Sequence, residues 1–266
     1  MILLVFEGRV LEPKVMATLQ YLFFSSTVES VMCYYGTDTY TLWKEVKEHA
    51  VDGEPDIFNI VKRRMQSVGD HSLDQYNSYQ VESVYLFFDY DPQNRTIPLG
   101  QLNQAILEMV TLFDDAMDKG KIFISYPMLE SVFCVDSIPD PNFLQSTVSL
   151  VNCHGFKGWC HNYLFARKPE SLLFKTNRAG YITEVDPSKR KQELLDKWNN
   201  IVRMNVEKAY LMCEKKAGLP VNIEDVSQSA IINNERDTYV LPLSCVSILS
   251  AFPMFLYEYF HGNGAF

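Results

Sequence analysis

The sequence predicts an α/β fold, a Rossmann-like parallel sheet followed by a mostly helical C-terminal region. Three observations carry this. Short apolar runs such as Ile2 to Phe6 and Val84 to Phe88 are continuous, as in strands buried on both faces. Between them, up to Val135, lie stretches with apolar residues at helical spacing, the pattern of β/α units. Beyond Asp136 the character changes, with a turn-rich Ile138-Pro-Asp-Pro-Asn followed by long helical patterns.

Taken in order, Ile2 to Phe6 is the first strand. Glu12-Pro13 opens a helix, since proline is favoured in a first turn, and Val15, Leu19, Leu22 and Phe23 line one face. Val28 to Tyr35 reads as a second strand closed by Gly36, followed by helices over Tyr40 to Ala50 and Asp56 to Met65. Ser83 to Phe88 is the strongest strand, and Pro92 cannot extend a central one. Asp89 and Asp91 are therefore expected in the loop just past its carboxyl end. Leu99 to Met117 predicts a long helix, Lys121 to Ser125 a strand, and Pro127 the start of another helix through Val132. Lys189 to Lys215 predicts a long helix, and Phe252 to Phe260 repeats aromatic residues at helical spacing. The expected division is a sheet domain over residues 1–137 and a helical region over 138–266.

Composition narrows the function classes. The hydrophobic fraction is 47% and the charged fraction 21%, which excludes wholesale disorder. No apolar run reaches the roughly 18–20 residues of a membrane span, so no membrane partner is expected. The opening apolar run lacks a basic start and meets Glu7 at once, unlike a signal peptide. A soluble, cytoplasmic protein is the expectation. Six scattered cysteines in a chain of this size are expected as buried thiols. With 24 Lys and Arg against 33 Asp and Glu, net charge −9, the chain is no stand-alone duplex-binding module. Any nucleic-acid role then needs bound cations, a local basic patch or a partner.

In an open parallel sheet, ligands bind beyond the carboxyl ends of the strands. Val5-Phe6-Glu7-Gly8 and Phe87-Phe88-Asp89-Tyr90-Asp91 both end there on acids. If the two strands are neighbours, three carboxylates converge. In an extended segment, Asp89 and Asp91 would also point to one side. Clustered carboxylates without His or Cys select Mg²⁺, or Mn²⁺, over Zn²⁺. Gly8 allows a tight turn and the approach of a phosphate. The alternative is solvated acids capping strand ends.

At these residues a resemblance becomes specific. Val5-Phe6-Glu7-Gly8, with Glu12-Pro13 four residues on, is similar to the start of Toprim nucleases of the RloB and OLD kind. Asp89-Tyr90-Asp91 resembles their Asp-x-Asp, and Ser125-Tyr126-Pro127-Met128-Leu129-Glu130 a later Asn-Pro-x-x-Glu segment. The match runs through the first half of the chain in order and spacing. It implies Mg²⁺-dependent phosphodiester chemistry, a nucleic-acid substrate (DNA or tRNA), and a role in anti-phage defence beside an ABC-type ATPase. Carried over, Glu7 is metal ligand or general base, Asp89 and Asp91 are metal ligands, Glu12 is a second-metal candidate, and Glu130 is the later acid. The sequence departs at Arg9, where the group often has Glu, and at Leu11, where it often has Thr. Arg9 and Lys14 then become candidates for a substrate phosphate. Two other readings stay open: a non-catalytic Toprim scaffold or sensor acting through its partner, and a small-nucleotide phosphohydrolase.

Cys153-His154 and Cys160-His161 offer four zinc-ligand types, but structural zinc sites space their ligands more closely, and Gly155 and Gly158 oppose a single aligning helix. A metal-free buried knot is expected. Lys62-Arg63-Arg64 and Lys189-Arg190-Lys191 read as solvated helix faces or as phosphate-backbone contacts. An exposed part of the Phe252 to Phe260 stripe would serve a homo-oligomer or partner.

Overall fold

Strands β1 (Ile2–Phe6), β2 (Ser30–Tyr34), β3 (Ser83–Asp89), β4 (Asp114–Asp115) and β5 (Gly120–Ser125) form one sheet in the order β2-β1-β3-β5-β4. The computed structural model describes residues 1–49, 55–94, 97–177 and 180–261. All pairings are parallel except that of the short β4 with β5. β1 and the inner part of β3 are buried because their runs are apolar at successive positions and both sheet faces are covered. The predicted α/β class with a parallel sheet and a helical C-terminal region is the observed one.

Helices α1 (Glu12–Phe23), α2 (Thr39–His49), α3 (Ile57–Ser67) and α4 (Leu99–Leu112) connect the strands. α1 begins at Glu12-Pro13 as expected, and α3 is capped by Asp56, whose carboxylate accepts the N–H of Asn59 at 3.0 Å. The helix expected to run to Ala50 is described to His49; Ala50 lies outside the described residues.

Three expectations are corrected. The helix from Leu99 ends at Leu112, not Met117. Phe113 turns into the core, and Asp114–Asp115 folds back as an antiparallel hairpin on Gly120 and Lys121, with Gly120 at φ 108°. Asp89 is the last residue of β3, paired with Ser125, so it lies on the sheet and not beyond it. Pro127 does not open an α-helix. Tyr126-Pro127 is a cis peptide, and a 3₁₀ turn follows over Leu129–Phe133.

The C-terminal region contains a long helix, α5 (Ser188–Glu214), then α6 (Gln228–Asn234) and α7 (Ala251–Phe260), with a two-stranded ribbon of β6 (Thr147–Ser149) and β7 (Cys245–Ser247). α5 ends at Lys215, which adopts the left-handed conformation at φ 58°. α7 lies across the sheet. Phe252 stacks on Phe87 at 4.8 Å and 9°, and Phe255 meets Phe87 and Tyr85 edge-on. Residues from both halves of the chain join one apolar core. The C-terminal region closes the free edge of β5: the N–H of Ile124 donates to Gln228 Oε1 at 3.1 Å, Tyr126 just beyond the strand pairs with Leu249, and the N–H of Ala251 donates to Ser125 Oγ at 3.2 Å. Within the helical layer, Lys208 is fully buried and donates to the carbonyls of Phe143 and Ser146. Burial pushes its pKa down to about 7, and pushes that of buried Glu235 up to about 7. Among the described residues no helix is long and apolar enough to cross a membrane.

Candidate metal centre

The strand order places a topological switch between β1 and β3. The chain leaves β1 for β2 on one side, and β3 lies on the other. Such a switch opens a crevice at the strands' carboxyl ends. Phe6 pairs with Phe87, so Glu7 follows the last rung of β1 while Asp89 closes β3 beside it. The N–H of Glu7 donates to the carbonyl of Phe87 at 3.1 Å, and Glu7 Oε2 accepts the N–H of Asp89 at 3.0 Å.

Asp89 Oδ1 accepts the N–H of Leu129 at 2.9 Å, pinning the 3₁₀ turn that carries Glu130. The Thr39 hydroxyl donates to the Asp89 carbonyl at 2.9 Å and ties the start of α2 to the same point. Glu12, in the first turn of α1, folds back so that Oε1 accepts the N–H of Gly8 at 2.9 Å. A Cβ at Gly8 would stand 2.5 Å from that oxygen, so glycine makes room for the carboxylate.

Asp91 departs from the expected extended geometry. Its φ is 49°, its N–H donates to the carbonyl of Pro127 at 3.1 Å, and strand alternation does not carry past Tyr90. Gln93 Nε2 donates to Asp91 Oδ1, while Gln93 Oε1 is buried without a hydrogen-bond partner. That orphaned oxygen beside an acid is a hard donor suited to a cation.

Two charged residues of the site escape the sequence reading. Asp38 lies four residues past the end of β2, in the loop that opens α2. Its Oδ1 accepts the N–H of Thr41 at 2.8 Å, and its Oδ2 accepts from Asn94 Nδ2 at 3.2 Å. The rule that finds Glu7, an acid just past an apolar strand, finds Asp38 only if it is extended across the turn at Gly36. Lys157 comes from a short helix, Phe156–Trp159, and its Nζ stands 3.4 Å from Glu130 Oε1. No local pattern marks it; the fold alone brings it there.

The electrostatics reflect this crowding. Burial, then the charges of Asp91, Asp38 and Glu12, push the Glu7 carboxyl up to about 8, against the Asp89 N–H that lowers it. Burial raises Asp89 well above the carboxylate range, with Glu7, Glu12 and Glu130 adding to the effect. Glu12 is raised by burial and by Glu130, and Asp91 by burial and by Asp38. Lys157 is raised by Glu130 first, then by Asp89 and Glu12. The acids therefore sense one another as a single field.

In this arrangement no three His, Cys, Asp or Glu side chains among the described residues are gathered closely enough to hold a metal ion. One oxygen each of Glu7, Glu12, Asp89 and Asp91 accepts a hydrogen bond from an N–H donor. The side chains around the switch point offer only oxygen donors, which fits Mg²⁺ or Mn²⁺ in kind, and they would have to draw together to share an ion.

The remaining candidates are placed as follows. Arg9 is exposed, with its guanidinium directed toward Gly36 at the end of β2, and Lys14 is half-buried on α1. The basic clusters are engaged locally. Lys62 donates to the carbonyl of Tyr76 at 2.9 Å, Arg64 pairs with Glu45 at 3.6 Å, and Arg190 with Glu184 at 3.4 Å. Cys153 and Cys160 are buried, whereas His154 and His161 are exposed, so the four do not face one centre. A cavity of about 610 Å³ between α2 and α4, lined by Trp43, Val46, Leu107 and Met109, belongs to other elements than the acid cluster. A comparison with known proteins found no matching family model, no matching curated protein and no matching solved structure.

Proposed function

We propose that the chain is a Mg²⁺- or Mn²⁺-dependent nuclease that cuts phosphodiester bonds in DNA or tRNA at the Glu7/Asp89/Asp91 edge. The observation that carries this reading is the juxtaposition of Glu7 and Asp89 at the β1/β3 switch point, bonded to each other and ringed by Glu12, Asp38, Asp91 and Glu130. Mutually repelling, desolvated carboxylates are stable at neutral pH only when protonated or neutralised by a cation. The resemblance to Toprim nucleases through Glu7-Gly8, Glu12-Pro13, Asp89-Tyr90-Asp91 and Glu130 supports the same reading.

Glu7, Asp89 and Asp91 would hold the ion, with Glu12 and Glu130 at its flank. A bound divalent ion supplies Lewis acidity toward phosphate oxygens. Glu7 would serve as a ligand of the ion or as the base that takes a proton from the attacking water, the role the resemblance implies for it. The backbone N–H groups of Asp89, Leu129 and Gly8 keep the carboxylates in place by hydrogen-bonding one oxygen of Glu7, Asp89 and Glu12 respectively. Arg9 and Lys14, at the mouth of α1, are the residues proposed to meet the substrate's phosphates.

A net charge of −9 gives the chain little long-range attraction for a polyanion. The reading therefore calls for a partner that supplies basic surface or releases restraint, and the resemblance to Toprim nucleases implies an ABC-type ATPase in a cytoplasmic anti-phage system. The test is a panel of plasmid, total tRNA and mononucleotides, each incubated with wild type and Asp91→Ala in Mg²⁺ or Mn²⁺. Polynucleotide cleavage that Asp91→Ala abolishes supports the reading. Turnover confined to mononucleotides would make the chain a small-nucleotide phosphohydrolase. No turnover, with Asp91→Ala keeping the wild-type biological effect, would make it a scaffold.

A further inference from the structure

We propose that the turns from Phe156 to Lys168 form a nucleic-acid contact surface, fitted to a single-stranded segment whose unpaired bases stack beside Trp159 and Tyr163. The inference rests on the nuclease reading and deepens it by naming the form of polynucleotide that the site takes.

Charge is the first observation. Residues 141–169 contain no Asp or Glu, the longest such run in a chain of net charge −9. Lys157, Arg167 and Lys168 fall within it, and all three are exposed. Lys157 pairs with Glu130, but among the described residues neither Arg167 nor Lys168 pairs with a carboxylate. Asp136, which meets the segment from the preceding loop, has Oδ1 bonded to the N–H of Leu164 at 2.8 Å. The other basic clusters differ: Arg64 pairs with Glu45, Lys189 with Asp186 and Arg190 with Glu184. The turn segment thus offers phosphates cations that no acid already holds.

The second observation is aromatic. Trp159 rests on buried Phe156 at 5.5 Å and 23° and meets Tyr163 edge-on at 5.6 Å, while Trp159 and Tyr163 both stay partly exposed. The Arg167 guanidinium lies over the turn between them, donating to the carbonyls of His161 at 3.2 Å and Asn162 at 3.4 Å. Rings beside a planar cation suit a single strand, whose bases each present a face for stacking while its phosphates meet the positive charge. Bases of a duplex are already stacked on one another and do not reach such rings.

The third is placement. The N–H of Phe165 donates to the carbonyl of Val135 at 3.2 Å, just past the turn that bears Glu130, and Lys157 Nζ stands 3.4 Å from Glu130 Oε1. The surface therefore adjoins the acid cluster. Gly155 and Gly158 flank Lys157. Neither has a positive φ, and a Cβ at either would meet no atom within 4 Å. Neither backbone conformation nor packing calls for glycine there, whereas bare backbone lets a sugar-phosphate chain come close.

Fluorescence anisotropy of labelled oligonucleotides on the full chain, at low salt and in EDTA, tests binding apart from cleavage. The probes are a single-stranded oligo-dT, the matching oligo-rU and a duplex of equal length. At least one single strand should bind more tightly than the duplex, and the tighter of the two assigns the sugar. Trp159→Ala should weaken single-strand binding roughly fivefold to a hundredfold, the loss of one base stack, and Trp159→Phe should recover part of it. Lys168→Gln should make the salt dependence shallower by about 0.7 in log–log slope, while Lys189→Gln leaves it unchanged. Thermal melting checks that the variants fold. The inference is overturned, even with polynucleotide cleavage intact, if no single strand binds, if the duplex binds as tightly, or if Trp159→Ala and Lys168→Gln both behave as wild type. Single-strand binding lost in Trp159→Ala, in a chain that cleaves no polynucleotide, would keep the surface and remove the nuclease reading.

Discussion

Glu7 and Asp89 are joined across neighbouring strands: the Asp89 N–H donates to Glu7 Oε2 at 3.0 Å, so two acids of one cluster are fixed to each other through the backbone. The fold stabilises an arrangement that the side chains alone would oppose, and that opposition has measurable effects on stability, metal uptake and pH response.

Metal-free protein should lose stability as pH rises. The Glu7 carboxyl is raised to about 8 in the fold, above its unfolded value, and Asp89 is raised as well. A group raised on folding contributes stability that is fully present below its unfolded pKa and lost as pH climbs through the folded one. In EDTA, the melting temperature should therefore fall by several degrees between about pH 5 and pH 8, and Glu7→Gln should flatten that slope. A melting temperature that rises over the same window would contradict the electrostatic account.

Mg²⁺ or Mn²⁺ should raise the melting temperature at pH 8, and EDTA should reverse the effect, because an ion bound only by the native state stabilises it. Asp89→Asn keeps an acceptor for the Leu129 N–H yet removes a ligand charge, so the fold should persist while the ion-dependent shift disappears. Retention of the full shift in Asp89→Asn would place the ion elsewhere.

Gly8→Ala separates Glu12 from the core of the site. The new methyl would approach Glu12 Oε1 to 2.5 Å, and the carboxylate, at the end of a flexible side chain, should swing away and release the Gly8 N–H. Loss of that one charge-assisted hydrogen bond costs about 1.5–3 kcal/mol. Metal affinity should fall only modestly, less than in Glu7→Ala, since Glu12 is at the flank. Cleavage as dead in Glu12→Ala as in Glu7→Ala would show that Glu12 is a primary ligand.

Phe252→Ala should destabilise the chain by about 3–5 kcal/mol, the usual cost of truncating a buried aromatic. The ring is 1% exposed and stacks on Phe87 of the central strand, so the cavity opens directly beneath the residues leading to Asp89. Denaturant unfolding gives the number. A cost under about 1 kcal/mol would mean that α7 is not part of the cooperative core.

Much of the fold and of the acid cluster is legible in the amino acids because the signals are local. Ile2 to Phe6 and Ser83 to Phe88 are apolar at nearly every position, which fixes them as inner strands, and the acids that end them come at once. Whatever depends on residues outside a short window is not legible. Asp91 depends on a left-handed turn that hydrogen-bonds to Pro127 across the site. Lys157 reaches Glu130 only because the C-terminal region folds back over the sheet. The helix from Leu99 stops short of its predicted end because nothing in its composition announces that Phe113 must turn inward to let Asp114 pair with Lys121.

The placement of α7 also bears on how the chain is made. The N–H of Ala251 bonds to Ser125 across 126 residues of sequence, and Phe252 and Phe255 cover Phe87 and Phe123 on strands synthesised long before them. At a translation rate of roughly 5–20 residues per second, the nascent sheet waits on the order of ten seconds with an aromatic face uncovered. During that interval the exposed aromatic face favours association with other apolar surfaces, and the acid cluster stays without its final support until α7 docks.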